Sequence, residues 1–379
     1  MNRLVLVLAL AGCDQVFNLT RPPDARVEQD TMVDGIDAPP GVCDLGAAGP
    51  ANPIPVKGLA IAAGNFDDDS KPDIVVGSST SSSLQFRFND NGFSTASDVN
   101  VGLPVLDLAV GRIDGDDLDD VAFITAANAN AMLQTATSWD RRMVPTIDPP
   151  RSIAIADFDK IGLADLLVTI PTQQIVQIYF GDTMMYSPSN GSIPTTGAEV
   201  VSAFAIDVEI DGDQDIVAAV ENQNAIVVYR DDAGFVPDPP ITTGMKPNRV
   251  GAALLGDRVV RDLLSVNNDS RTVGILRNDG NGTFTAATLL DVGEAPRGLV
   301  IADINKDLYA DILLVSNKGN RLSWIPGTAT GFELRRDYTT VAKPTALAVA
   351  DFTGDGTLDV AVLGEDDGFV IHPTACVTP

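Results

Sequence analysis

A nine-residue pattern recurs seven times along this 379-residue chain, at near-constant spacing. Its clearest copy is Asp351-Phe-Thr-Gly-Asp-Gly-Thr-Leu-Asp359, with carboxylates at positions 1, 5 and 9, a hydroxyl at 3 and a glycine at 6. Apolar runs flank it, Leu347-Ala-Val-Ala350 before and Val360-Ala-Val-Leu363 after. The other copies begin at Asn65, Arg112, Asp157, Asp207, about Leu254 and Asp303, so successive starts differ by 47, 45, 50, 47, 49 and 48 residues. A period of this size restricts the chain to repeat architectures, in which each unit buries its apolar faces against its neighbours.

Each period holds four strand-like runs. In the sixth they are Leu299-Val-Ile-Ala302, Ile312-Leu-Leu-Val315, Arg321-Leu-Ser-Trp-Ile325 and Phe332-Glu-Leu-Arg335. The aspartate loop, Asn317-Lys-Gly-Asn320 and Gly327-Thr-Ala-Thr-Gly331 separate them. Short β-rich runs broken by Gly, Asn and Asp, with no helical period, indicate an all-β protein. Seven four-stranded units predict a seven-bladed β-propeller; a solenoid would need polar capping repeats.

The units resemble FG-GAP/VCBS-type repeats, the calcium-binding blades also found in integrin α-subunit propellers. The residues that carry the likeness are the D-x-[DN]-x-D-x-x-x-D loops, the Ala-Asp-Phe lead-ins at Ala156–Phe158 and Ala350–Phe352, and Asn278-Asp-Gly-Asn-Gly-Thr-Phe284. It extends over about residues 57–372. It bears strongly on fold and weakly on function, because one fold hosts many activities.

The chain opens with Met1-Asn-Arg3 and an apolar run, Leu4 to Leu10, too short to span a bilayer as a helix. Leu10-Ala-Gly-Cys13 resembles the lipobox of bacterial lipoproteins. That likeness implies a signal peptide over residues 1–12, a lipid on Cys13, and a place in the bacterial cell envelope with the lipid as the only membrane contact. Residues 13–50, with Arg21-Pro-Pro-Asp24, Asp37-Ala-Pro-Pro-Gly41 and Gly49-Pro50, read as an acidic, Pro-rich tether, leaving 51–379 for the propeller. If Cys13 is lipidated, Cys43 and Cys376 remain, in a compartment that permits a disulfide. Blade seven ends without an outer strand, and residues near 43–56 are placed to supply it. Such closure brings Cys43 to Cys376, and a disulfide is expected there.

Calcium takes about six to eight oxygens, from carboxylates and backbone carbonyls. Acids at positions 1, 3 and 5 point into one tight loop, position 7 offers its carbonyl and position 9 returns a further carboxylate. About four structural Ca²⁺ sites are expected: Asn65, Asp67, Asp69 and Asp73; Asp207, Glu209, Asp211 and Asp215; Asp303, Asn305, Asp307 and Asp311; and Asp351, Thr353, Asp355 and Asp359. Blade two is weaker, with Asp114, Asp116 and Asp120 but Arg112 at position 1. Blade three keeps Asp157, Asp159 and Asp165 but has Ile161 at position 5, and blade five has Gly256 and Arg258 in place of ligands. The competing reading is that Asp, Asn and Gly serve only as turn formers.

A net charge of −27 argues against nucleic acid and against adsorption to anionic membrane. The single histidine, His372, excludes a His-rich metal centre, and no nucleophile elbow, phosphate-binding glycine loop or Cys-x-x-Cys occurs. Basic residues precede several innermost strands, namely Lys57, Arg151, Arg249, Arg297 and Lys343. In a propeller they would ring one mouth of the central channel and bind an anion or a carboxylated glycan, or pair with neighbouring acids. The expected function is a non-enzymatic, monomeric, membrane-tethered binding or scaffold propeller that recognises a protein or glycan. The alternative is a calcium-assisted polysaccharide lyase.

Overall fold

The computed structural model describes residues 42–47 and 54–377, apart from 68, 70, 91, 117, 136–137, 183–185, 189–191, 232–233 and 257. The expected signal peptide, Cys13 and most of the tether lie outside the described residues. Each repeat folds into an antiparallel sheet whose strands pair in chain order. Blade one comprises Ala60–Gly64, Asp73–Gly77, Ser83–Phe88 and Thr95–Asn100. The innermost strands touch in sequence around the ring: Ala60–Gly64, Val105–Gly111, Ser152–Ala156, Val200–Ile206, Pro247–Ala253, Pro296–Ala302 and Pro344–Ala350. The last of them packs back on the first, so the molecule is a closed seven-bladed β-propeller.

Residue size follows radial position. Near the axis the blades converge, and the inner strands are rich in alanine, as in Pro344–Ala350, PTALAVA, all buried. Second strands are buried on both faces and carry Val, Ile and Leu, as in Asp311–Ser316. Outer strands alternate exposed and half-buried residues, as in Thr95–Asn100. The apolar clusters lie between blades rather than within them. One joins Phe66 and Phe86 of blade one to Val105 and Leu108 of blade two and to Phe352 and Phe369 of blade seven. Two outer strands are broken: in blade three into Tyr186–Pro188 and Ile193–Pro194, in blade four into Val236–Pro237 and Ile241–Thr242. Proline removes a ladder donor, which a sheet tolerates at its edge.

Blade six departs from the sequence expectation. Gly331–Phe332 pairs with Gly327–Thr328 in a small ribbon. The outer strand therefore starts later, at Arg336–Thr339, instead of spanning Phe332 to Arg335.

Closure of the ring is divided between two segments. Val42–Leu45 pairs antiparallel with Thr374–Val377, placing Cys43 opposite Cys376, and the two form a disulfide. This strand lies inside the stretch that composition assigns to the tether. Farther along, Ile54 makes a single antiparallel bridge to Phe369. The expected outer strand of blade seven is thus two short contacts instead of one run. Gly368 makes the second contact possible, since a Cβ there would stand 1.9 Å from the Ile54 carbonyl oxygen. His372, fully buried, stands beside the first contact: Nδ1 lies 3.2 Å from the Gly46 carbonyl and Nε2 2.9 Å from Thr340 Oγ1.

Two predictions follow from the seam. The disulfide closes a loop of 333 residues in sequence, and by loop-closure entropy its loss removes up to about 5 kcal/mol. Reduction, or Cys376→Ser, should lower the thermal midpoint while leaving the sheet spectrum intact below it. Burial also depresses the His372 pKa below its ordinary 6.5. The stabilising contribution is present above the unfolded value and is lost as pH falls below about 6.5. His372→Gln should flatten that part of the stability–pH curve, measured by denaturant midpoint.

Candidate functional site

The aspartate loop joins the first and second strands of each blade, and its ninth residue opens the second strand. All seven of these aspartates are buried: Asp73, Asp120, Asp165, Asp215, Asp262, Asp311 and Asp359. In each, Oδ1 accepts from a backbone N–H at or just past the end of the third strand, at 2.7–3.1 Å, from Asn89, Gln134, Gly181, Asp231, Asn278, Gly327 and Thr374. In six, Oδ2 accepts a second N–H from within the loop, from Phe66, Ile113, Phe158, Val208, Ile304 and Thr353. The carboxylate therefore staples its loop to the far strand of its own blade and satisfies backbone donors that would otherwise be buried unpaired. Burial pushes Asp73, Asp120 and Asp311 up to about 7 and Asp165 to about 6. Buried anions in this condition favour a nearby cation.

The exposed part of each loop is a ladder of side-chain-to-backbone turns. Position 1 caps the N–H groups of positions 5 and 6, as Asp207 does for Asp211 and Gly212, Asp303 for Asp307 and Leu308, and Asp351 for Asp355 and Gly356. Position 5 accepts from the N–H of position 7, as in Asp69 with Lys71, Asp116 with Leu118, and Asp307 with Tyr309. These bonds use the turn chemistry of Asp and Asn, and each carboxylate retains lone pairs for a metal. Position 6 takes left-handed dihedrals, which explains Gly212 and Gly356 there; Leu308 adopts φ 77° at the same place.

The loops differ in what their acids face. In blade one, carboxylate oxygens of Asp67, Asp69 and Asp73 all lie within 4.8 Å of one another, as do those of Asp157, Asp159 and Asp165 in blade three. Blade three, weakened in sequence by Ile161, thus brings its three acids together, with Ile161 turned to solvent. Asn65 uses its backbone N–H on Asp119 of blade two, at 2.8 Å. In blade six, the Asn305 amide donates to Asp307 at 2.8 Å. In blade seven, Thr353 donates its N–H to Asp359, and Asp355 holds both the N–H and hydroxyl of Thr357. Blade two keeps Asp114 and Asp116 in the turn ladder, and Arg112 acts electrostatically on Asp119.

Blade four is different. Glu209, expected as a ligand, accepts from the Arg230 guanidinium at 2.5 Å. In blade five two arginines face the ninth-position aspartate: Arg277 Nη1 lies 2.6 Å and Arg258 Nε 3.3 Å from the buried Asp262 carboxylate. Sequence reasoning passed over Arg230 and Arg277 because both lie outside the nine-residue pattern. They share one offset, fifteen residues beyond the ninth-position aspartate, where the other blades have no basic residue. Aligning whole repeats would have exposed them.

The basic residues Lys57, Arg151, Arg249, Arg297 and Lys343 stand where the innermost strands begin, and the aspartate loops where those strands end. Lys57, Arg151, Arg297 and Lys343 are exposed. Lys343 Nζ meets Asp366 at 3.3 Å and Glu365 at 4.0 Å. Arg249 donates to the neighbouring Asn248 carbonyl. His372 is committed to the seam and the two tryptophans to packing, Trp139 stacked on Phe86 at 4.4 Å and Trp324 under the Arg336 guanidinium. A cleft of about 230 Å³ opens between blades two and three, lined by Asp114, Arg142, Asp182 and Tyr186 among others.

The FG-GAP-like repeat matches residues 260–314 and 303–362. The matched stretch runs from the end of the blade-five aspartate loop into the second strand of blade seven. No curated protein matches the chain. Among solved structures, BBS1N in complex with ARL6DN is similar at a TM-score of 0.63 and 11% identity, over 88% of this chain and 96% of that one. A lectin from Agrocybe aegerita, described as recognising non-reducing terminal N-acetylglucosamine, is similar at 0.51 and 15% identity, over 88% and 94%. A functionally unknown protein from Desulfotomaculum acetoxidans is similar at 0.56 and 12%, over 79% and 98%. At these identities the likeness concerns the fold alone.

The staple role is directly testable. Asp311→Ala leaves the N–H groups of Ile304 and Gly327 buried without their acceptor. At about 1–3 kcal/mol per orphaned group, the loss should be about 2–6 kcal/mol in a urea titration. Asp355→Ala, on the exposed rung, should cost well under half of that in calcium-free buffer.

Proposed function

We propose that this protein is a calcium-stabilised, non-enzymatic binding or scaffold propeller, exported to the bacterial envelope and held there by lipid on Cys13. The observation that carries the reading is the commitment of its buried acids. The seven ninth-position aspartates hold backbone N–H groups. The single histidine is likewise committed, holding the seam. A Cys43–Cys376 disulfide fits an exported protein. Proteins of similar fold include one in complex with another protein and one that recognises a sugar, so the architecture supports either class of partner.

The residues present fit Ca²⁺ in several loops. Asp67, Asp69 and Asp73, with Asn65, would hold it in blade one, on the strength of their convergent carboxylates. Asp157, Asp159 and Asp165 offer the same convergence in blade three. In blades six and seven Asp303, Asn305, Asp307 and Asp311, and Asp351, Thr353, Asp355 and Asp359, supply the same donor classes. Bound calcium would neutralise buried negative charge. Recognition is assigned to the face opposite these loops, where Arg151, Arg249 and Arg297 stand.

Thermal unfolding in Ca²⁺ and in EGTA tests the metal. The midpoint should rise with Ca²⁺ at affinities of order 10⁻⁴–10⁻³ M. Asp67→Asn with Asp69→Asn should remove part of the rise, and an identical midpoint in both buffers refutes it. Incubation with polygalacturonate tests the function. Retention without unsaturated products, lost on charge reversal of Arg151, Arg249 and Arg297 together, is expected for a glycan-binding propeller. Calcium-dependent release of unsaturated products would establish a lyase instead.

A further inference from the structure

The loop of blade four carries as many acids as any in the chain, yet three of them, Asp207, Glu209 and Asp213, already face cations. Asp213 pairs with Lys160 of blade three. Glu209 bonds Arg230, and Arg230 also reaches Asp238 at 2.8 Å and the Gly282 carbonyl of blade five at 2.6 Å. The Arg230 and Glu209 side chains are 19% and 15% exposed, so this pair is largely withdrawn from water. Asp207, the first residue of the loop, interacts electrostatically with Arg261, half-buried in the loop of blade five. In blade five itself, Arg258 and Arg277 flank the fully buried Asp262.

We propose that arginine takes the place of the divalent cation in blades four and five, so that these two blades form a calcium-indifferent sector of the ring. This rests on the calcium reading of the other loops. The guanidinium suits the task. It stays charged at any physiological pH, and its planar fork can bond carboxylates and a carbonyl at once, as Arg230 does. A Ca²⁺ ion placed among Asp207, Glu209 and Asp211 would stand beside that guanidinium and meet like-charge repulsion. Arg230 also does what a metal in one loop cannot: it ties its own blade to the next through Gly282. The Asn278 amide returns the tie, donating to the Val208 carbonyl at 2.9 Å. The loops without a buried arginine include those of blades six, seven and one, which border the seam. Withdrawal of calcium should therefore loosen the ring beside its closure and leave blades four and five as they were.

Hydrogen exchange of the full chain, read by mass spectrometry in Ca²⁺ and in EGTA, tests this. EGTA should speed exchange in peptides covering 303–311 and 351–359 and leave those covering 207–215 and 254–262 unchanged. Calcium-dependent protection of 207–215 in the wild-type chain would overturn the proposal. The double variant Arg230→Gln with Arg261→Gln should gain calcium-dependent protection at 207–215 and bind about one further Ca²⁺ per chain in equilibrium dialysis. A double variant that folds and gains neither would also overturn it. If no peptide of the wild-type chain responds to calcium, the calcium reading of the other loops fails. The double variant then still decides the arginine substitution, by gaining a calcium response at 207–215 or not.

Discussion

The propeller depends on one interaction repeated in every blade: a buried aspartate that accepts backbone N–H bonds from the end of the third strand. A four-stranded sheet packed on both faces leaves little water for the backbone where strands turn, and unsatisfied donors there are costly. One carboxylate meets the demand of the loop and of the far strand together. It also sets the difficulty that the rest of the loop must solve, because seven carboxylates are brought into low-dielectric surroundings in a chain of charge −27. Exposed acids in the same loops add to the charge. Some blades answer with side-chain cations, guanidinium in blades four and five and Lys160 reaching from blade three to blade four, while in blades one and three three carboxylates converge.

Neighbouring blades are joined by apolar contact and by a smaller set of amide bonds. Asn89 donates to the Phe352 carbonyl and Asn278 to the Val208 carbonyl, each from the end of one blade's third strand to the loop of the blade before it. Gln134 does the same to Phe66. At the seam the apolar contact is aromatic. Phe93 of blade one stands edge-on to Phe352 and Phe369 of blade seven, with centroids 5.8 and 5.7 Å away. The first and last blades thus meet through the same kind of packing as any consecutive pair, and the disulfide ribbon lies outside that packing as an addition to it.

Much of this was legible in the sequence because turns recur with the period. Asp, Gly and Asn at fixed offsets mark where each strand ends, and counting them gives seven four-stranded units. The pairing of Cys43 with Cys376 followed from the strand that blade seven lacks. Other features had no local signal. The hairpin of Gly327–Thr328 with Gly331–Phe332 displaced an outer strand that looked continuous. Glu209 fits a ligand position by type, and only the three-dimensional path of Arg230 shows what it faces. By type the ninth aspartate suits a metal ligand; its bonds to backbone are invisible in sequence, since both roles call for the same carboxylate.

The disulfide also changes how the molecule would carry load. Joining Cys43 to Cys376 turns everything between them into one covalent macrocycle, with the chain leading to residue 42 attached at its junction. A pull entering through that lead does not reach blade one alone. At Cys43 it divides, part passing on through Asp44 and part crossing the sulfur bridge into Ala375 and blade seven. Peeling the blades off in order, as a zipper opens, requires a free end, and within this macrocycle there is none.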